Sequence, residues 1–251
     1  MPVALSVCMA TCNGARYLSE QVESILAQLG PEDELVVSDD ASDDDSLSIL
    51  ANYADPRLRV LAGNRFHSPV RNFEHALQQA RGGILVLSDQ DDIWLPGRLD
   101  LVRQQLERKL ERPALIMMDG EIVDAAGRPV GETIFARNRV GRGLLKNIYD
   151  NTYTGCCLAF TRPLLELALP FPARIPMHDM WLGLLAELFG AVEFVPVRTI
   201  HYRRHGANVS SRSTARLLQI RRRLWLVLNL AGRWVTILKD RLPGNPLPKS
   251  Q

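Results

Sequence analysis

The sequence contains few cysteines and no long uncharged apolar run. Its four cysteines among 251 residues have neither the spacing of a disulfide scaffold nor that of a zinc site, so we expect buried free thiols and a reducing compartment. No stretch of about 18 residues is both apolar and uncharged, so no transmembrane helix is predicted. The first predicted strand begins almost at once and leaves no room for a signal peptide. We therefore expect a cytoplasmic protein.

An excess of one charge is also lacking. The formal net charge is +2, which gives no indication of a nucleic-acid partner. The charges are nevertheless unevenly placed: acidic clusters precede residue 93, whereas residues 203–241 are rich in arginine. The apolar content of 46% and the chain length suit one large α/β domain with a real core.

The first half of the chain alternates short apolar runs with helical patterns. Four strands are predicted, at residues 5–11, 34–38, 58–61 and 84–89, with helices at 17–29, 42–53 and 72–80 between them. Ser42 or Asp43 is the predicted N-cap of the second helix. Such an alternation predicts a parallel sheet covered by helices on both faces.

The second half is less regular. We predict a helix from Pro96 to about residue 110, a strand at 114–118 and a hairpin turn at 124–127. A partly mobile loop or short helices should follow at 137–148. A further helix at 180–189 and a strand at 192–197 complete the pattern.

Polar side chains follow the predicted strands at the point where each strand ends. They are Thr11 and Asn13 after the first strand, Asp39 and Asp40 after the second, and Asp89, Asp91 and Asp92 after the fourth. Ligands of open α/β sheets bind at such carboxyl ends, and crowded carboxylates become favourable around a divalent cation. The alternative is turn and helix-cap chemistry, which we assign to Asp43 and which also suits Thr11, Asp39 and Asp40.

These motifs, with Asn72 on the third helix, resemble in order and spacing the inverting nucleotide-sugar glycosyltransferases of family 2, from about residue 3 to 210. The resemblance implies the GT-A fold, with a Rossmann-like, mostly parallel central sheet flanked by helices. It also implies that Asp40 binds the pyrimidine ring nitrogen and that Asp89 and Asp91 hold Mn²⁺ or Mg²⁺ on the donor diphosphate. The implied donor-binding residues are Thr11, Asn13, Asp39, Asp40, Asn72 and Asp89.

His205 follows the last predicted strand. It could complete the metal shell or, with Arg204, bind diphosphate oxygens. The alternative is an ordinary surface histidine.

The acceptor side is predicted around a second pair of motifs. By resemblance Asp179 is the catalytic base, His178 stands where an acidic residue is often found, and Gly155, His178 and Trp181 form the acceptor side. Independently, Asp179 lies at a predicted helix N-terminus, where the macrodipole favours an ionised carboxylate. The alternative is that Asp179 only caps this helix.

The chain divides into a glycosyltransferase-like domain at 1–210, with a nucleotide-binding half (1–95) and an acceptor half (96–210), and a C-terminal segment at 211–251. Arg212, Arg216 and Arg221–Arg223 precede an apolar pattern at helical spacing in residues 224–238. This predicts an amphipathic helix at the anionic inner face of the cytoplasmic membrane. The alternative is a helix packed on the domain or in a dimer.

Within the family, the run from Asp89 to Trp94 most resembles bacterial rhamnosyltransferases of surface polysaccharide assembly (O-antigen or capsule type). This implies dTDP-L-rhamnose as donor and a lipid-linked glycan as acceptor. The same motifs suit UDP-glucose, UDP-galactose or UDP-N-acetylhexosamine. Two other classes remain: a noncatalytic nucleotide-sugar-binding module, and a phosphotransferase with an Asp-x-Asp nucleophile, which should follow the first strand rather than the fourth.

Overall fold

The computed structural model describes residues 4–206 and 216–240, without the side chains of 216–222 and 238–240. Its strands are β1 (Leu5–Thr11), β2 (Glu34–Asp39), β3 (Leu58–Leu61), β4 (Ile84–Asp89), β5 (Ile93–Trp94), β6 (Ala114–Val123), β7 (Pro129–Thr133), β8 (Leu158–Thr161) and β9 (Ala191–Arg203). Its α-helices are α1 (Ala15–Leu26), α2 (Ser46–Ala51), α3 (Pro69–Gln79), α4 (Arg98–Leu106), α5 (Ile134–Asn138), α6 (Leu144–Tyr149), α7 (Arg162–Ala168), α8 (His178–Phe189) and α9 (Arg216–Asp240).

The first four strands form the parallel half of the sheet, in the order β3-β2-β1-β4. β1 lies between β2 and β4, and its register pairs Thr11 with Asp39 and Ala10 with Asp89. The three strands therefore end at the same level. This confirms the predicted parallel sheet and brings the polar residues that follow these strands to one edge.

The second half of the sheet is mixed, in the order β8-β6-β9-β5, with β7 antiparallel to β6. β8 is antiparallel to both β4 and β6, while β6 and β9 are parallel. β6 and β9 are longer than the strands we predicted at 114–118 and 192–197, because they continue past the apolar runs into polar residues. At the far end, Ile93 of β5 pairs with His201 of β9, which returns the chain to the acidic loop after β4.

Helices cover both faces of the sheet. α1 packs with α2, and the Arg98 amide at the start of α4 donates to Gln28, which follows α1. α3 and α7 both pack against α8. Right-handed crossovers place these two sets on opposite faces. The strands between them are almost completely buried, since β1, β2 and β4 each lose both faces to the core.

Two local predictions need correction, and a third is confirmed. α2 begins at Ser46 and is capped by neither Ser42 nor Asp43, because the Ser42 hydroxyl donates to Asp39 instead. Cys12 is exposed, unlike the buried thiols of Cys8, Cys156 and Cys157; all four are free. The segment 137–148 forms the end of α5 and most of α6, in line with the short helices we considered.

The C-terminal helix α9 packs on the domain. Leu226, Leu230 and Ile237 are buried, and the Arg233 guanidinium donates to the carbonyl oxygens of Leu169 and Pro170 at 2.9 and 2.7 Å. Arg212 lies outside the described residues, as do the side chains of Arg216, Arg221 and Arg222. Within the described ranges, none of the helices has the length and apolar character needed to cross a membrane.

Candidate active site

A glutamine in the acidic motif fastens two loops together. The Thr11 hydroxyl and the Cys12 amide both donate to Gln90 Oε1, at 2.6 and 2.8 Å, and Gln90 Nε2 donates to the Cys12 carbonyl at 3.1 Å. The loop after β1 is thus fixed to the loop after β4. We did not predict this role, because only the charged members of the motif drew attention.

The loops after β1 and β2 are also joined. Asn13 adopts a left-handed φ of 53°, its side-chain oxygen accepts the Asp43 amide at 2.9 Å, and its own amide donates to Ser42 Oγ at 2.9 Å. Asp39 is fully buried and accepts the Ser42 hydroxyl and amide at 2.5 and 3.1 Å. The predicted donor residues Asn13 and Asp39 therefore lie together and shape one turn.

Asp40 organises the loop that leads into α3. Its carboxylate accepts the backbone amides of Phe66, His67 and Ser68 at 2.5, 3.0 and 3.0 Å. The next predicted donor residue, Asn72, is buried and donates to the Thr11 carbonyl at 3.0 Å. Five predicted donor residues thus meet at one edge, and their hydrogen bonds within the protein position these loops before any ligand arrives.

A cluster of carboxylates follows β4. Asp91 Oδ2 lies 2.7 Å from His205 Nε2, so the structure brings together two of the predicted metal ligands. Asp92, which we did not assign to the site, is fully buried; one oxygen accepts the Arg203 amide at 3.1 Å, and the other has no hydrogen-bond partner among the described residues. Ligand atoms of Asp89, Asp92 and Cys156 lie within 4.8 Å of one another.

Electrostatics favour a cation here. Loss of solvent, then the charges of Asp91 and Asp179, raise the pKa of Asp89 to about 7. Burial, then Asp91 and Asp89, raise the pKa of Asp92 well above its usual range. Hard divalent cations prefer oxygen ligands, and a cation would relieve this repulsion. The carboxylates present therefore suit Mn²⁺ or Mg²⁺, and the group whose ligand atoms the structure gathers is Asp89, Asp92 and Cys156. The ligand set of Asp89, Asp91 and His205 stays a prediction.

Arg203 supports the acidic loop after β4 by hydrogen bonds, a role that we did not predict from the sequence. Its side chain donates from Nε to the Asp91 carbonyl at 3.0 Å and from Nη2 to Glu20 at 2.6 Å, and it lies over the Tyr17 ring at 4.5 Å. The His205 ring packs on the same tyrosine, with 5.1 Å between centroids. Arg203 and Tyr17 thus position both Asp91 and His205.

Across the site, Asp179 lies in the first turn of α8 and is only 9% exposed. Its carboxylate accepts the Met180 amide at 2.5 Å, and the Gly155 amide and the Asn151 side chain also hydrogen-bond to it. Burial outweighs these bonds and raises its pKa to about 6. At neutral pH the group is therefore ionised but more basic than an ordinary aspartate.

His178 behaves differently from its neighbour. Its ring is buried against Phe73 with centroids 4.1 Å apart, and neither ring nitrogen has a hydrogen-bond partner among the described residues. Burial lowers its pKa to about 3, so the ring is neutral. It does not supply the acidic group often found at this position. Gly155 fits against it, since a Cβ there would lie 2.9 Å from His178 Nε2.

Trp181 is not where we predicted. It is fully buried, and its indole nitrogen donates to the Ala168 carbonyl at 3.1 Å. Trp181 follows Asp179 by two residues, which at 100° per residue puts it on nearly the opposite side of α8, the side that faces α7. As it stands, Trp181 offers no surface to an acceptor and serves the core.

A cleft of about 760 Å³ opens beside Asp179. Its lining combines the Asp179 carboxylate with aromatic and arginine side chains, including Tyr153, Tyr202, Arg137 and Arg204. Arg204 directly precedes the metal-ligand candidate His205. One cavity thus contacts the candidate base and the arginine next to His205, while Asp89, Asp91 and His205 are not among its lining residues.

An α/β sheet with acidic loops at its strand ends and a carboxylate across the cleft defines a GT-A type of nucleotide-sugar enzyme fold. Residues 6–166 match the profile described as Glycosyl transferase family 2. The chain belongs to this family.

Three relatives illustrate the similarity. A putative teichuronic acid biosynthesis glycosyltransferase of Bacillus subtilis, TuaG, is 28% identical over 74% of each chain. The Escherichia coli UDP-Glc:alpha-D-GlcNAc-diphosphoundecaprenol beta-1,3-glucosyltransferase WfgD is 23% identical over 73% of this chain and 70% of its own. The S. aureus TarS 1-349 structure in complex with UDP-GlcNAc has a TM-score of 0.70 and 23% identity over 90% of this chain and 67% of its own, which shows the fold. The chain spans only 34% to 36% of several other curated relatives.

Proposed function

We propose that this protein is an inverting, metal-dependent glycosyltransferase that moves a hexose from a nucleoside diphosphate sugar to a hydroxyl of a lipid-linked glycan during polysaccharide biosynthesis. The observation that carries the proposal is the Asp179 carboxylate, buried at the cleft wall with its pKa raised to about 6. A carboxylate of that pKa is a suitable base at neutral pH. The named relatives support the pathway class, since TuaG and WfgD are glycosyltransferases by name.

The proposed chemistry is a single displacement. Asp179 accepts the proton of the acceptor hydroxyl while the hydroxyl oxygen attacks the anomeric carbon of the donor sugar. The bond from that carbon to the nucleoside diphosphate breaks on the opposite face. This inverts the anomeric centre. Mn²⁺ or Mg²⁺, held by Asp89, Asp91 and His205, would neutralise the leaving diphosphate. Arg204, in the cleft lining, is suited to donate to the same diphosphate oxygens.

Thr11, Asn13, Asp39, Asp40 and Asn72 make up the proposed donor-nucleotide site. Asn72 donates to the Thr11 carbonyl, and Asp39 and Asp40 accept hydrogen bonds from Ser42 and from the His67 amide, which supports a preorganised loop set. Each Asp39 oxygen accepts one bond from Ser42 and so keeps a lone pair for a base or ribose. Gly155 and His178 belong to the proposed acceptor side as packing residues around Asp179. Preorganisation of this kind lowers the cost of ordering the loops on binding.

The donor sugar is the least constrained part of the proposal. The motif resemblance favours dTDP-L-rhamnose. The names of relatives favour a UDP sugar instead, because WfgD is named for UDP-Glc and the TarS structure contains UDP-GlcNAc. Either donor presents the same diphosphate to the same carboxylates. We therefore propose a nucleoside diphosphate hexose, with dTDP-L-rhamnose and UDP-glucose as the two donors to compare.

The test of this function is the substitution Asp179→Asn. It removes the base but keeps the size and most hydrogen bonds of the side chain, so donor binding should persist while the turnover number falls about 10²- to 10⁴-fold. Donor binding is measured by calorimetry and transfer by chromatographic detection of product. Asp100→Asn, which alters another aspartate in a first helical turn, is the matched control and should leave turnover unchanged. Unaltered transfer in Asp179→Asn, or no transfer by the wild type with any donor, would contradict the proposal.

A further inference from the structure

Among the described residues, α9 has two apolar faces, and one of them packs on the domain. Leu226, Leu230, Arg233 and Ile237 face the domain. At helical spacing on the opposite side lies an exposed stripe, formed by Leu224, Val227, Leu228 and Val235. At 100° per residue, the residues that face the domain and the residues of the stripe are centred nearly half a turn apart around the helix axis. Packing on the domain therefore leaves the stripe uncovered.

The rim of the stripe has the side chains of an interface. Trp225 and Trp234 lie on its two flanks and are 40% and 42% exposed. Each is held by the domain on one side, Trp225 beneath the Arg174 guanidinium at 4.7 Å and Trp234 against Phe189 at 5.2 Å. Amphipathic rings fixed between an apolar face and a wet rim are typical of the membrane–water boundary.

A neighbouring helix carries further exposed apolar side chains. On α6, Leu145 and Tyr149 are 81% and 73% exposed, and the Arg223 guanidinium of α9 lies over the Tyr149 ring at 5.0 Å. Exposed apolar residues are common singly, but a run of this extent on adjoining helices indicates a binding surface.

Charge identifies the occupant. Six of the 25 residues of α9 are Arg or Lys, and one, Asp240, is acidic. Basic residues near an anionic bilayer contribute about 1 kcal/mol each to attraction. A second copy of this chain would bring the same basic helix against itself, which like-charge repulsion opposes. The apolar stripe and the basic composition thus fit an anionic lipid surface better than a self-association.

The cleft opens next to this surface. Arg174, which covers Trp225, lies between Ala173 and Ile175, and both of these line the cleft. We propose that the stripe of α9, with the exposed residues of α6, docks the protein on an anionic bilayer so that the cleft rim meets a lipid-linked acceptor at the membrane surface. The bilayer contact stands independently, while its purpose rests on the proposed function.

Vesicle flotation tests the docking. Wild-type protein should bind vesicles of phosphatidylglycerol and phosphatidylethanolamine, bind phosphatidylcholine vesicles far less, and release as salt rises. Leu228→Glu and Val235→Glu should each weaken binding about tenfold or more, because an apolar group in the acyl boundary is replaced by a charge. Val130→Glu on β7 is the matched control, since Val130 is 53% exposed and Leu228 is 54% exposed. Thermal melts confirm that all three variants fold.

Transfer to a short-chain, water-soluble acceptor without vesicles separates this inference from the proposed function. The α9 variants should keep that transfer while losing vesicle binding. No vesicle binding by the wild type would overturn the docking proposal whatever the activity. A concentration-dependent dimer that Leu228→Glu dissociates, without any binding to anionic vesicles, would overturn it in favour of a second copy.

Discussion

At the scale of single residues, His178 and Asp179 show that burial shifts the pKa of an imidazole and of a carboxyl in opposite directions. They are neighbours at the start of α8, and burial acts on both. For the imidazole it lowers the pKa to about 3, and for the carboxyl it raises the pKa to about 6. Burial disfavours the charged form in each case, so one residue becomes an uncharged packing group and the other a stronger base.

The titration of Asp179 predicts the pH dependence of activity. Because the base must be ionised, kcat/KM should fall about tenfold per pH unit below pH 6 and level off above it. An apparent pKa near 4, the ordinary value for aspartate, would contradict the buried environment.

The same titration has a consequence for stability, with the opposite sign to the usual aspartate. A pKa raised by folding means that the folded state binds the proton more tightly, so this contribution is present below about pH 4 and is lost as pH rises through 6. Asp179→Asn should therefore unfold at an equal or higher temperature than the wild type at pH 7.5, measured by calorimetry.

At the scale of elements, the turn before β8 supports the start of α8. The Gly155 amide hydrogen-bonds to Asp179, and a Cβ at Gly155 would lie 2.9 Å from His178 Nε2. The His178 ring in turn packs on Phe73 of α3. Three elements thus converge on the candidate base. An amino-acid pattern reveals each element separately, but not their convergence.

Gly155→Ala should disturb this junction. A Cβ placed 2.9 Å from His178 Nε2 must displace a ring that is itself packed, at a cost of about 1–3 kcal/mol in unfolding free energy. Turnover should drop because the amide donor moves relative to Asp179. Denaturant unfolding and kinetics measure the two effects. The control is Gly232→Ala in α9, where a Cβ meets nothing within 4 Å and a gain of up to about 1 kcal/mol is expected. Equal behaviour of the two variants would contradict the proposed packing role.

At the scale of the whole molecule, the parallel half of the fold could be predicted and the mixed half only in part. Apolar runs ending in Thr11, Asp39 and Asp89 identify strands whose register then follows from parallel pairing. β9 continues to Arg203 through exposed residues, which no apolar pattern marks. Its return to the acidic loop is a long-range pairing, and for that reason the roles of Arg203 and Asp92 were missed.

The site therefore joins distant parts of the chain, and its ligands should stabilise the whole fold. Asp91 and His205 are 114 residues apart in sequence, and Thr11 reaches Gln90 across 79. A ligand that binds only the folded state raises the melting temperature. We expect Mn²⁺ with a cognate donor to raise it by several degrees, and Mn²⁺ alone by less. The panel compares dTDP-L-rhamnose with UDP-glucose and UDP-N-acetylglucosamine.

The metal-dependent part of the shift should depend on the acidic loop. Asp91→Ala should abolish the Mn²⁺-dependent increase, because it removes a carboxylate ligand and the partner of His205. Asp100→Ala is the control and should respond as the wild type does, since Asp100 is exposed in the first turn of α4. A selective response to dTDP-L-rhamnose would support the donor indicated by the motifs, and a selective response to a UDP sugar would replace it. If Asp91→Ala keeps the Mn²⁺-dependent rise in melting temperature, the cation binds elsewhere, because a ligand stabilises the fold only through the groups that bind it.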